Sequence, residues 1–132
     1  MKSRADMVRA WVRKAQSDLD NAQVCLASGK ALDTVCFHAQ QSAEKYLKAY
    51  LAAQGVEFPF IHNVEKLIEQ CAQTAPALLA LKPLGQSLTP YAVELRYDEE
   101  FWPSPETARH ALDAATTIRR FVMERLPDDV KA

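Results

Sequence analysis

From Cys36 to Leu51 the chain runs through strong helix formers without a glycine or proline, and its residues divide between two faces. At about 100° per residue, Val35, Cys36, Ala39, Ala43, Tyr46, Leu47, Tyr50 and Leu51 share one broad apolar arc that needs other elements to bury it. On the remaining arc His38, Gln41, Glu44, Lys45 and Lys48 follow one another at helical spacings, so their side chains are expected on one strip of surface. Two ammonium groups beside neutral hydrogen-bonding groups suit a phosphate or nucleotide. A helix face that is merely solvated carries the same pattern.

The elements that could bury the apolar arc lie on both sides of it. Residues 5–28 predict a long helix with a stripe of Val8, Trp11, Val12, Ala15, Leu19, Ala22 and Leu26, ended by Gly29. Lys14 and Asp18 are four apart beside that stripe and are expected to pair. The short Gly29–Ala31 link predicts a helical hairpin, the second helix beginning near Leu32 and closing at Gly55, with Trp11, Leu19, Tyr46 and Leu47 in the shared core.

Beyond the hairpin, Val56–Ile61 reads as an apolar loop over an end of the bundle, since Pro59 argues against a paired strand. Asn63 is a plausible N-cap for a short helix burying Val64, Leu67, Ile68 and Cys71, which puts His62 at a helix entrance, where anions bind or where a histidine only caps. Between Thr74 and Asp98 three prolines allow one or two short helices, with Leu88, Tyr91, Ala92 and Leu95 inward and Arg96-Tyr97 at the helix end. An acidic, aromatic loop follows, and Ser104-Pro105-Glu106 opens a last helix on Ala108, Ala111, Leu112, Ala115, Ile118 and Val122. The expected fold is one all-α domain over residues 1–132, an antiparallel bundle of four to five helices.

Composition narrows the functional classes. At 132 residues with 48 % hydrophobic and 25 % charged content, the chain can hold a core without staples, and a net charge of −1 gives no global attraction to nucleic acid or membranes. Cys25, Cys36 and Cys71 are an odd set without zinc-site spacing, read as free thiols of a cytoplasmic protein. No stretch approaches the roughly 18 apolar residues of a membrane span, and no signal peptide opens the chain. Neither a metal nor an organic cofactor is expected.

Trp11 with Lys14, Asp18 and Leu19, then Phe37-His38-Ala39-Gln40-Gln41-Ser42-Ala43-Glu44-Lys45 with Leu47-Lys48-Ala49, then His62 before Leu67, and finally Arg96-Tyr97 ahead of an Ala-rich helix together resemble a HEPN domain. The name abbreviates "higher eukaryote and prokaryote nucleotide-binding". The resemblance covers nearly the whole chain and implies a helical bundle that usually dimerises. It also implies a partner, since small microbial proteins of this kind often accompany a minimal nucleotidyltransferase in toxin–antitoxin or defence systems. The exposed apolar groups around Phe58-Pro59-Phe60 and Phe101-Trp102 would suit a homodimer.

Many HEPN toxins are metal-independent ribonucleases with an Arg-x4–6-His motif. From Arg96 the corresponding positions are Phe101, Trp102 and Pro103, and no other arginine has a histidine at that separation, which weighs against nuclease activity. The expected function is a nucleotide- or RNA-binding module with His38, Gln41, Lys45, Lys48, His62, Arg96 and Tyr97 as its ligand-binding residues. Two alternatives stay open. One is a diverged nuclease that brings His38, His62 or His110 beside Arg96, and the other is a dimerisation adaptor without a ligand.

Overall fold

Gly29 turns the chain back on itself. Its φ of 73° is left-handed, and its N–H closes the first helix on the carbonyls of Cys25 and Leu26. A computed structural model describes residues 2–58 and 60–131. Among these, α1 spans Arg4–Ser28, α2 Leu32–Ala53, α3 Val64–Cys71, α4 Lys82–Leu88 and α5 Pro105–Arg125. Short 3₁₀ turns at Pro76–Leu81, Thr89–Tyr91 and Asp128–Val130 join or follow them, and there is no strand among the described residues. The expected all-α bundle is what forms.

Local chemistry sets the helix ends. Ser3 caps α1 through a reciprocal box with Asp6, one residue earlier than the apolar stripe suggested. Asn63 Oδ1 accepts from the Lys66 N–H at the start of α3, and Ser104 Oγ accepts from the Thr107 N–H at the start of α5, both at predicted caps. The entry to α2 is different. Ala31 has φ 55° and offers no side-chain cap, so a residue with a Cβ holds a left-handed backbone there.

Helices α1 and α2 are antiparallel, as contacts between Gln16 and Tyr46 away from the turn and between Cys25 and Thr34 near it require. α2 is the central element, packed on α1, α3 and α5, and its predicted arc is buried in full. Leu19, Tyr46 and Leu47 are core residues, each large side chain contributing about 1.5–3 kcal/mol by leaving water. Tyr46 also carries a polar junction of three helices, donating to Gln16 Oε1 at 2.6 Å while Arg119 Nε of α5 donates to Gln16 Oε1 at 2.9 Å and to Tyr46 Oη at 3.1 Å. Burial pushes the Tyr46 hydroxyl above its ordinary range.

Three expectations need correction. Trp11 is only partly buried, at the bundle margin, where its ring meets Phe58 edge-on at 5.9 Å. The loop after α2 therefore does fold over the bundle at Phe58, whereas Phe60 is 98 % exposed and Pro59 lies outside the described residues. Arg96 and Tyr97 do not end a helix. Ala92–Tyr97 are turns, and Pro90 precedes them within a 3₁₀ turn rather than starting an α-helix. Finally, Asp18 turns from Lys14 toward α2. No described helix is long and apolar enough to cross a membrane.

Candidate functional site

Two carboxylates organise the polar face of α2. The first is Asp18, which α1 carries opposite the middle of α2 because the hairpin is antiparallel. His38 Nδ1 donates to Asp18 Oδ1 at 2.8 Å and Lys45 Nζ donates to Oδ2 at 2.6 Å. Burial raises the Asp18 pKa, but the hydrogen bonds and charges of His38 and Lys45 outweigh it, and the net shift is below the ordinary 3.8. Both donors remain partly exposed, and Gln41 lies between them along the same helix.

The second carboxylate is Glu44. It accepts from Lys48 Nζ at 3.0 Å on one oxygen, and from His62 Nδ1 at 2.9 Å and Gln40 Nε2 at 3.1 Å on the other. Gln40 Nε2 also reaches the His62 carbonyl at 3.0 Å, which ties the loop ahead of α3 to α2. The side chains of Glu44 and Lys48 are only 4 % and 5 % exposed, so the expectation that they stand on an open strip is wrong for these two. Helical periodicity places their face correctly. It carries no information on the loop and on Trp11, which cover that part of the face and leave Lys48 Nζ 5.6 Å from the Trp11 ring and 5.9 Å from that of Phe58.

Gln41 extends the Glu44 cluster by donating to Gln40 Oε1 at 2.7 Å. On the other side of His38 lies Phe37, its ring 5.2 Å from the imidazole and 4.6 Å beneath the Arg96 guanidinium. His38 and Lys45 are thus joined through Asp18, whereas Arg96 adjoins them only by way of the Phe37 ring. Lys48 is enclosed, His62 sits at Glu44, and Tyr97 stands 82 % exposed beyond Arg96. Arg96 and Tyr97 also face a hollow that holds Asp33, Asp98 and Glu99. His110 lies elsewhere, against Pro83 and Ser87.

Sequence reasoning does not select Asp18, Gln40 or Phe37 as parts of the site. Gln40 could be found, because it is a polar residue three or four positions from Cys36, Ala43 and Glu44 and so sits within a buried arc. Asp18 reads as a partner of Lys14 because a local partner four residues away is visible in the sequence, whereas one on another helix is not. Among the described residues no group of His, Cys, Asp and Glu is arranged to hold a metal.

Comparison with known proteins yields a family and two similar structures. The HEPN domain family model matches residues 8–126. The crystal structure of TT1696 from Thermus thermophilus is similar with 28 % identity and a TM-score of 0.80, covering 90 % of this chain and 98 % of that one. The structure of ST0689, an archaeal HEPN homologue, is similar in fold at 24 % identity and a TM-score of 0.74, covering 96 % of this chain and 100 % of that one. No curated protein matches.

Proposed function

The chain belongs to the HEPN family, and from that premise we propose that it is a single-domain nucleotide- or RNA-binding module, homodimeric, that works with a minimal nucleotidyltransferase in a toxin–antitoxin or defence system. The observation that carries the reading is the Asp18–His38–Lys45 cluster, with Gln41 alongside and Arg96 across the Phe37 ring. An ammonium group has three donors, and one from Lys45 goes to Asp18, which fixes the nitrogen while leaving donors for a phosphate oxygen. Gln41 and His38 supply neutral or switchable hydrogen bonds beside it. His62 and Tyr97 are ligand contacts at the edges, and Lys48 serves indirectly by holding Glu44 and hence His62.

Calorimetric titration with adenine nucleotides and with transfer RNA tests this reading, alongside co-expression with a minimal nucleotidyltransferase. Saturable binding is expected. No heat and no RNA retention at any protein concentration would leave the ligand-free adaptor.

One observation favours a second reading. A histidine whose Nδ1 is tied to a carboxylate has Nε2 free to accept a proton, the arrangement of a general base, and Arg96 stacks on Phe37, the ring next to that imidazole. In a metal-free incubation with labelled RNA, this reading expects discrete cleavage that His38→Ala abolishes. Intact RNA would dismiss it.

A further inference from the structure

The hollow beside Arg96 has a chemistry opposite to that of a phosphate site. Four aromatic rings line it, from Tyr91, Tyr97, Phe101 and Trp102, and its volume is about 260 Å³, just below the usual range of small-ligand clefts. Tyr91 and Phe101 form a wall, their ring centroids 5.6 Å apart and their planes inclined by 32°. Trp102 also lines the hollow and stays 75 % exposed.

Charge separates this hollow from an ordinary apolar dimple. Asp33, Asp98 and Glu99 contribute three carboxylates and Arg96 one guanidinium, so 3 − 1 leaves two negative charges unbalanced. None of the three carboxylates has an ion-pair partner among the described residues. Arg96 offsets one of these charges without forming an ion pair, its guanidinium stacking on Phe37 at 4.6 Å and on Tyr97 at 5.8 Å. Aromatic faces here already attract a cation, and the surplus of negative charge calls for another.

From this we infer that the Tyr91–Tyr97–Phe101–Trp102 hollow binds a small organic cation with an alkylated ammonium head, a site that adjoins the proposed nucleotide site and shares Arg96 and Tyr97 with its edge. Ring faces attract such a head through their quadrupoles, and the head's alkyl groups lower the cost of desolvation. A bare metal ion fits poorly, because no described cluster of donors is arranged to hold one. A phosphate would be repelled by the carboxylates.

The test uses the full chain with choline, its neutral isostere 3,3-dimethylbutanol, and AMP as probes, following the two tryptophan indole resonances by NMR. Trp102→Phe assigns the signals and leaves Trp11 as an internal reference. The expected result is a saturable shift of the Trp102 indole with choline, at least roughly tenfold weaker with the isostere. AMP, whose phosphate the carboxylates repel, should not displace choline from Trp102. Asp98→Asn/Glu99→Gln should weaken choline binding about threefold or more with an unchanged helical circular dichroism spectrum. Equal binding of choline and its isostere, or no saturable Trp102 shift, would overturn the inference.

Discussion

Asp18 and Lys45, 27 residues apart in sequence, meet at 2.6 Å between Oδ2 and Nζ, and the same carboxylate holds His38 by its other oxygen. One acid therefore positions two groups of the candidate site across the interface of α1 and α2. That contact is at once a part of the fold and a part of the proposed site.

Its pH dependence follows from the sign of the shift. The Asp18 pKa in the folded chain is below the ordinary 3.8, so its contribution to stability is present above that value and lost as pH falls below it. Asp18→Asn should cost about 1–3 kcal/mol at neutral pH, and the gap between wild type and variant should close toward pH 3 and below. Denaturant unfolding across that range measures it. A gap that widens in acid would mean that the carboxylate is not stabilised by its partners.

Glu44 and Lys48 form a buried pair, where removing one partner strands the other. Lys48→Met alone should lose about 3 kcal/mol or more, while Glu44→Leu/Lys48→Met should lose clearly less than the sum of the single changes. Urea melts of the three variants provide the cycle. Additive losses would show that the two charges do not depend on each other.

Thiol reactivity should follow burial. Burial pushes Cys36 up to about 11 and Cys71 up to about 12, whereas Cys25 is only partly buried. At pH 8 a thiol reagent should modify Cys25 first and reach the other two only in denaturant. Rapid reaction of three thiols in the native chain would contradict the packing of α2 and α3.

Two backbone positions have opposite tolerances. A Cβ on Gly85 would lie 3.0 Å from the Glu65 backbone and 2.9 Å from Ile68 Cδ1, because α4 crosses α3 closely, so Gly85→Ala should destabilise by about 1–3 kcal/mol. Ala31→Gly should instead relieve a left-handed backbone and gain up to about 1 kcal/mol. Thermal unfolding distinguishes the signs.

How much of this is legible in the sequence depends on the range of the interaction. Helix faces and caps are local, so Val35 to Leu51, Asn63 and Ser104 read correctly from spacing and residue type. The turn that carries Arg96 does not, because three prolines leave several helix boundaries equally acceptable. At the site, residue types point to α2, yet the burial of Lys48 depends on Phe58 and Trp11 arriving from other elements. The Asp18 contact likewise needs the hairpin to be folded before it exists.

Lys45, fixed by Asp18, is the proposed phosphate ligand. Affinity for adenine nucleotide and transfer RNA, compared between wild type and Lys45→Ala at several salt concentrations, tests it most directly. Binding should be about tenfold or more weaker in the variant and should fall with salt in the wild type, with the helical spectrum unchanged. Equal affinity of the two proteins, or a wild-type affinity indifferent to salt, would contradict it.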